Sequence, residues 1–241
     1  MSKMVIVSGA TKGLGLAISK QLVENGYVVV GVSRTNSKEF SELMSNYSGS
    51  VFFYVFDFFD TDKISALVKD IVKMHGRPYA LINNAALGHD GVLATMHEKD
   101  IHDLIKVNIE APILLTKYSS RSMLLNRIGR IVNVGSIIGS TGFNGLSVYG
   151  ATKSALSGFT KSLARELGRA NITVNTLAPG YMETNMTKDL KGDKLQSIIR
   201  RSPLGRLAGV DDAAQATVFL LSDSAGSITG SVITVDAGST A

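Results

Sequence analysis

Seven short apolar runs recur along the chain, and longer segments with helical spacing separate them. The runs cover residues 4–7, 28–32, 51–56, 80–82, 131–134, 173–177 and 232–235. Short continuous apolar runs are typical of parallel strands buried on both faces, and such strands are usually joined by helices. The alternation therefore predicts an α/β fold in which helices cover both faces of one parallel sheet.

The composition agrees with one domain over residues 1–241 and excludes several kinds of site. No linker, repeat or charge block marks a domain boundary. Cysteine is absent and the four histidines lack ligand spacing, so we expect neither a disulfide nor a metal site. The net charge of +5 comes from dispersed residues, which argues against a nucleic-acid partner. With no leader and no apolar run of membrane length, we expect a soluble, cytoplasmic protein without a membrane partner.

A glycine-rich turn follows the first apolar run. Gly9, Gly13 and Gly15 precede a segment with helical apolar spacing. Glycines at such a turn let the backbone approach a pyrophosphate, and the amino end of the next helix attracts its charge. The spacing differs from the common GxGxxG pattern, so this loop alone is equally consistent with a structural turn.

Tyr149 and Lys153 lie four residues apart in a segment of helical spacing, residues 148–167, and Ser136 lies upstream. Residues four apart share a face of a helix, so the Lys153 ammonium is expected to lower the pKa of the Tyr149 phenol. A tyrosine of this kind can act as a general acid or base near neutral pH. Alone, the pair is more often an exposed tyrosine beside a solvated lysine, but beside a glycine-rich turn it suggests a dinucleotide and a proton donor.

Further motifs occur in a fixed order along the chain. They are SGATKGLG at residues 8–15, INNAA at 82–86, VNIEAP with Asn108, IVNVGS ending at Ser136, YGATK at 149–153 and PGYMET at 179–184. Together they resemble the classical short-chain dehydrogenases/reductases, most closely the 3-oxoacyl-acyl-carrier-protein reductases, over nearly the whole chain. The resemblance implies a Rossmann-like, three-layer, doubly wound fold with a seven-stranded parallel sheet, and an NADP-dependent oxidoreductase acting on CH–OH groups.

The resemblance also implies a role for each of four catalytic residues. Ser136 would hydrogen-bond the substrate oxygen, and Tyr149 would supply the proton as hydride reaches the carbonyl carbon. Lys153 would hold the nicotinamide ribose and lower the tyrosine pKa. Asn108 would anchor a water that links Lys153 to a proton relay.

The expected cofactor is NADP(H). The second apolar run ends at Ser33, Arg34 and Thr35, without an acidic residue for a ribose 2′-hydroxyl, and Arg34 with Lys12 could pair with a 2′-phosphate. The alternative is that Arg34 is an ordinary solvated loop residue that does not bind the cofactor. The cofactor-binding residues implied by the resemblance are Gly9, Thr11, Lys12, Gly13, Leu14, Gly15, Arg34, Asp57, Phe58, Asn84, Ala85, Ala86, Tyr149, Lys153, Pro179, Gly180, Met182 and Thr184.

A long mixed segment over about residues 181–206 predicts a substrate lid. Met182, Met186 and Leu190 could line the substrate entrance, with Met186 binding substrate beside the catalytic serine and tyrosine, or the methionines could fill the lid's own small core. The chain departs from the family pattern at Ala86 and Ala237, where the family has glycine. Ala86 could crowd the cofactor.

The resembling reductases receive their substrate from an acidic carrier protein that docks on arginines near the active-site entrance. Arg127 matches one of these positions, while Ala170 occupies the second and Arg169 is its neighbour. This departure leaves a carrier-protein thioester, a coenzyme A ester and a free ketone open as substrates. The C-terminal segment resembles a region that packs across a subunit interface, so a homotetramer is expected.

The leading hypothesis is NADPH-dependent reduction of a 3-oxoacyl thioester to the 3-hydroxyacyl product, as in fatty acid biosynthesis. The alternative within enzymes is another ketone or secondary alcohol. A non-catalytic sensor of NADP(H) is a different class, and the presence of Asn108, Ser136, Tyr149 and Lys153 argues against it.

Overall fold

The computed structural model describes residues 3–182 and 192–241, and its centre is a parallel sheet of seven strands. The strands are β1 Met4–Ser8, β2 Val28–Ser33, β3 Val51–Val55, β4 Ala80–Asn83, β5 Gly129–Val134, β6 Ile172–Pro179 and β7 Val232–Val235. Each predicted run coincides with one strand to within two residues at either end. The prediction of a seven-stranded parallel sheet is therefore confirmed.

Helices connect the strands on both faces of the sheet. They are α1 Gly13–Glu24, α2 Lys38–Asn46, α3 Ile64–His75, α4 Glu98–Ile105, α5 Ala111–Asn126, α6 Ser147–Leu167, α7 Asp193–Arg201 and α8 Val210–Leu221. A π-helical turn, Lys106–Glu110, joins α4 to α5. No helix of the described residues is long and apolar enough to cross a membrane.

Two hydrophobic clusters form the core, one on each face of the sheet. Val5 and Val7 pack in one cluster with α1, α2 and α8, whereas Met4 and Ile6 pack in the other with α3, α5 and α6. This alternation follows from the two-residue period of a strand. The fold is the predicted three-layer, doubly wound, Rossmann-like arrangement.

The strand order creates a crevice at one edge of the sheet. The order is β3-β2-β1-β4-β5-β6-β7, so the connections reverse direction between β1 and β4. In doubly wound sheets, ligands bind outside the carboxyl ends of the strands at such a reversal. The carboxyl ends of β1 and β4 are therefore the place to look for a site.

A hydrogen-bonded turn at the C-terminus holds the end of the predicted lid segment. The Asp236 carboxylate accepts bonds from the Gly238 and Thr240 backbone nitrogens. The Ser202 hydroxyl donates to the Ala237 carbonyl oxygen at 2.6 Å. Ala237 has φ of 56°, in the left-handed region that costs a residue with a Cβ about 1 kcal/mol.

We predict that Ala237→Gly stabilises the protein by about 1 kcal/mol, because glycine adopts this φ without a Cβ clash. Urea unfolding at fixed protein concentration measures the difference. The matched control is Ala155→Gly on the exposed side of α6, which should destabilise by about 1 kcal/mol. A loss of stability in Ala237→Gly comparable to the control would show that the turn does not strain the backbone.

Candidate active site

The predicted site residues of the described chain converge at the carboxyl edge of the sheet. Each of six strands is followed by one group of them: Gly9 to Gly15 after β1, Arg34 after β2, Asp57 and Phe58 after β3, Asn84 to Ala86 after β4, Ser136 after β5, and Gly180 with Met182 after β6. This convergence is a consequence of parallel strands, whose carboxyl ends share one edge.

The turn between β1 and α1 can be built only with glycine. Gly9 and Gly13 have φ of 68° and 52°. A Cβ on Gly15 would lie 2.1 Å from the Gly9 carbonyl oxygen and 2.6 Å from Asn84 Nδ2. The bare backbone and the amino end of α1, which has no acidic residue in its first turn, fit a dinucleotide pyrophosphate.

Ser8 and Asn84 hold this turn against the end of β4. The Ser8 hydroxyl accepts bonds from the Asn84 and Ala85 backbone nitrogens at 2.9 and 3.0 Å. Asn84 Nδ2 donates to the Ser8 and Gly9 carbonyl oxygens at 3.0 and 3.1 Å. The Asn84 amide therefore shapes the glycine turn, a role that the family motif alone did not indicate.

The residues expected near the adenosine end differ in exposure. Arg34 and Lys12 are exposed cations, and neither forms an ion pair with a side chain of the described residues. Asp57 Oδ1 accepts a bond from the Phe59 backbone nitrogen at 3.1 Å. Phe58 is buried in the core with its ring against Phe56, so its ring lies beneath the surface. Ala86 has an ordinary negative φ and places no strain on the backbone.

Ser136, Tyr149 and Lys153 lie together beyond the end of β5. The Ser136 hydroxyl accepts a bond from the Ile138 backbone nitrogen at 3.2 Å, and its interaction with the Tyr149 phenol acts to lower the pKa of that phenol. Lys153 is 3% exposed, and its Nζ lies 5.7 Å from the centre of the Tyr149 ring. The ammonium donates to the Val134 carbonyl oxygen at 2.9 Å. The three predicted catalytic side chains are thus neighbours.

Burial governs the protonation of this pair. Burial raises the pKa of Tyr149 to about 12, and the interaction with Ser136 only partly opposes the rise. Burial also lowers the pKa of Lys153 to about 8. The prediction that Lys153 lowers the pKa of Tyr149 is wrong for the chain by itself, because burial disfavours both charged forms and the lysine donates to Val134 instead of the phenol.

Asn108 positions the helix that carries Tyr149. It lies in the π-helical turn and is 1% exposed. Its side-chain amide accepts from the Leu87 nitrogen at 2.8 Å, and donates to the Leu87 carbonyl oxygen at 2.9 Å and to the Thr152 hydroxyl at 3.1 Å. Thr152 in turn donates to the Tyr149 carbonyl oxygen at 2.7 Å. The side-chain amide is therefore engaged in structure, and an anchored water at Asn108 stays a prediction.

Two residues near Tyr149 were not found from the sequence. Tyr181 directly follows Gly180, and its ring centre lies 5.7 Å from that of Phe143. Asp90, in the exposed loop after β4, contributes to raising the pKa of both Tyr149 and Tyr181. Neither position carries a recognisable motif, so only the fold brings them to the site.

The predicted lid is described in part. Thr184, Met186 and Leu190 lie outside the described residues, and α7 forms the next described element. The Met182 side chain is buried in the cluster that contains Leu177 and Ala208. For Met182, the structure favours a packing role for the side chain.

Arg127 and Arg169 meet, but far from the predicted catalytic residues of their own chain. The Arg127 guanidinium donates to the Arg169 carbonyl oxygen at 3.1 Å. Both residues precede strands, at the amino edge of the sheet, whereas Ser136 follows β5 at the carboxyl edge. Helix α6 runs between Tyr149 and Arg169, and about 20 helical residues span about 30 Å. The expectation that these arginines lie near the active-site entrance is wrong within one subunit.

Comparisons with known proteins agree with the fold. A sequence family described as enoyl-(acyl carrier protein) reductase matches residues 9–240. The chain is 38% identical over 237 residues to the 3-oxoacyl-acyl-carrier-protein reductase FabG of Haemophilus influenzae, covering 98% of this chain and 97% of the relative. It is 36% identical over 237 residues to the Escherichia coli FabG, covering 98% and 96%.

Solved structures show the same similarity in three dimensions. The structure of ElxO with NADP bound matches with a TM-score of 0.92 and 32% identity, covering 99% of both chains. A mutant short-chain dehydrogenase/reductase of Serratia marcescens matches with a TM-score of 0.92 and 28% identity, covering 99% of this chain and 98% of the other. The similarity therefore extends over almost the whole chain.

The buried lysine makes stability depend on pH. The pKa of Lys153 falls from 10.5 to about 8 on folding, so below pH 8 both states are protonated and the cost of burial is fully present. Between these values the unfolded state binds more protons, and stability rises with pH. We predict that Lys153→Met stabilises the cofactor-free protein by about 2 kcal/mol at pH 7 and reduces the gain in stability above pH 8.

Urea unfolding at several pH values measures both effects. Lys161→Met is the matched control on the same helix, where the lysine is exposed and its removal should change stability by less than about 0.5 kcal/mol. A Lys153→Met protein that is less stable than the wild type at pH 7 would contradict the prediction.

Proposed function

The chain belongs to the short-chain dehydrogenase/reductase family, and we propose that this member reduces a 3-oxoacyl thioester to the 3-hydroxyacyl thioester with NADPH. The observation that best supports this proposal is the cluster of Ser136, Tyr149 and Lys153 beside a turn that excludes any Cβ at Gly15. Neighbouring serine and tyrosine hydroxyls next to a dinucleotide site suit the addition of hydride and a proton to a carbonyl group.

The roles of the protein residues follow from their positions. NADPH, when bound at the glycine turn, supplies the hydride. The Ser136 hydroxyl donates a hydrogen bond to the substrate carbonyl oxygen, and the Tyr149 hydroxyl gives that oxygen its proton. Lys153 would hold the ribose of the bound nicotinamide, and Asn108 acts through Thr152 to hold Tyr149 in place.

The preference for NADPH rests on Arg34 and Lys12. Both are exposed at the carboxyl edge near the end of β2, where no carboxylate follows the strand. Arginine can make two parallel hydrogen bonds to a phosphate. The 2′-phosphate is the only group that distinguishes NADPH from NADH. The similarity to ElxO, whose solved structure contains NADP, supports the same preference.

An acyl thioester substrate is supported by the relatives named as 3-oxoacyl-acyl-carrier-protein reductases. Fatty acid biosynthesis in the cytoplasm is part of this proposal. Docking of an acyl carrier protein at Arg127 and Arg169 remains a proposal as well. Because these residues lie at the amino edge, a carrier docked there would need another subunit's site within reach.

The outer edge of strand β7 supports the proposed homotetramer. Strand β7 pairs only with β6 among the described strands, so its other edge offers free backbone groups. Val232, Leu204 and Phe219 are exposed apolar residues in β7, the loop before α8 and α8 itself. An unpaired edge with nearby apolar residues is a suitable surface for association between copies of the chain.

We predict that Tyr149→Phe lowers kcat by about 100- to 10,000-fold, the range that a positioned general acid supplies. The assay is the loss of NADPH absorbance with an acetoacetyl thioester of coenzyme A or of carrier protein. Binding of NADPH, followed by its fluorescence, should persist. Tyr118→Phe on α5 is the control and should keep full activity, since Tyr118 contacts only cations of its own helix among the described aromatic interactions. Full turnover in Tyr149→Phe would remove Tyr149 from the mechanism.

We predict that Arg34→Ala raises the KM for NADPH by about 10- to 100-fold and leaves the KM for NADH nearly unchanged. The reason is the loss of charge-assisted hydrogen bonds to the 2′-phosphate. Steady-state kinetics with both cofactors measure the ratio of the KM for NADPH to the KM for NADH. The control is Arg165→Ala, at an exposed position on α6. Equal changes with NADPH and NADH would show that Arg34 does not recognise the phosphate.

A further inference from the structure

Tyr181 is a phenol at the active site that the catalytic roles above do not use. It follows Pro179 and Gly180 at the end of β6, on the same edge of the sheet as Ser136. Its backbone carbonyl oxygen accepts a hydrogen bond from the Ala208 nitrogen at 3.2 Å, which holds the backbone from which the side chain projects. Position 180 requires glycine, because a Cβ there would lie 2.6 Å from the Asp236 Cβ.

The ring of Tyr181 faces the segment between Ser136 and Tyr149. Its centre lies 5.7 Å from the ring of Phe143, which belongs to that segment. The same segment is tied to the loop after β4 by a hydrogen bond of 2.9 Å from the Gly91 nitrogen to the Gly145 carbonyl oxygen. The Tyr181 side chain therefore lies beside the segment that connects Ser136 to Tyr149.

The hydroxyl of Tyr181 is buried and has no hydrogen-bond partner among the described residues. A buried hydroxyl without a partner loses its hydrogen bonds to water and gains nothing in return, so such groups are uncommon in folded proteins. Burial, and secondarily Asp90, raise the pKa of Tyr181, with Arg201 opposing, so the phenol is protonated at neutral pH and can donate. Tyr181 also contributes electrostatically to the high pKa of Tyr149.

We propose that the Tyr181 hydroxyl donates a hydrogen bond to the second carbonyl oxygen of the substrate, the thioester oxygen at C1, while Ser136 and Tyr149 bind the reacting oxygen at C3. This inference rests on the proposed function, because only a 1,3-dicarbonyl substrate carries that second acceptor. One methylene separates the two carbonyl groups, so a donor at the same edge of the sheet as Ser136, beside the segment that leads to Tyr149, is suitably placed for the C1 oxygen. Tyr181 is then a specificity-determining residue that selects 3-oxoacyl thioesters over simple ketones.

The test compares two substrates that differ in one group. The first is the acetoacetyl thioester of N-acetylcysteamine, and the second is the thioether in which a methylene replaces the C1 carbonyl. Wild type, Tyr181→Phe and the control Tyr118→Phe are assayed with saturating NADPH. Tyr181→Phe keeps the ring against Phe143 and removes only the hydroxyl. We expect it to lower kcat/KM for the thioester by about tenfold, mainly through KM, and to change the thioether by less than about twofold.

Stability and cofactor binding separate this role from a structural one. Because the hydroxyl has no partner within the described chain, Tyr181→Phe should unfold at the same or a higher temperature than the wild type and should bind NADPH equally well. A lower unfolding temperature together with equal losses on both substrates would overturn the proposal, as would an unchanged ratio of the two kcat/KM values. A wild type that reduces the thioester well, with no change in Tyr181→Phe, overturns this inference alone. A wild type that reduces the thioether but not the thioester overturns the proposed function, and this inference with it.

Discussion

The site depends on the burial of Lys153. Its ammonium donates to the Val134 carbonyl oxygen at the end of β5, and its side chain is almost completely removed from solvent. Removing a cation from water is unfavourable, which is why its pKa falls to about 8. A residue that costs stability in this way is typical of functional sites, where activity and stability place opposite demands on the same position. The position of Tyr149 follows from it, because α6 must lie close enough to β5 for the lysine to reach.

A chain of buried hydrogen bonds holds α6 at that distance. Asn83 donates to Thr116 and Asn133, Asn133 donates to Thr160, and Thr160 shares a bond with Thr176, all at 2.8 Å. The chain crosses β4, β5 and β6 and reaches α5 and α6. Buried polar groups are costly when misplaced, so a connected series of them fixes the relative positions of the elements more strictly than apolar packing does. The same helix then presents Tyr149 and Lys153 at its amino end.

The sequence predicted the sheet and most of the site because both depend on local patterns. The seven apolar runs are the seven strands, and the glycine turn follows from a backbone that no Cβ can enter at Gly15. The sequence pattern was less informative where tertiary contacts determine which residues are buried. On α6, Ala155 is exposed whereas Thr152 and Thr160 are buried, because the buried face serves hydrogen bonds and not only apolar packing. The pKa of Tyr149 could not be predicted either, since it is set chiefly by burial, which the local sequence does not show.

The most direct test of this account is a spectroscopic titration of Tyr149. The phenolate absorbance of the wild type minus that of Tyr149→Phe is measured against pH, first without cofactor and then with NADP+ bound. The account predicts that without cofactor the phenol ionises well above its ordinary pKa, near the value of about 12 that burial imposes. With NADP+ bound, the pKa should fall, because a positively charged nicotinamide ring bound near the phenol favours the phenolate. A phenol that ionises at or below its ordinary pKa without cofactor, or whose pKa does not change when NADP+ binds, would contradict the account.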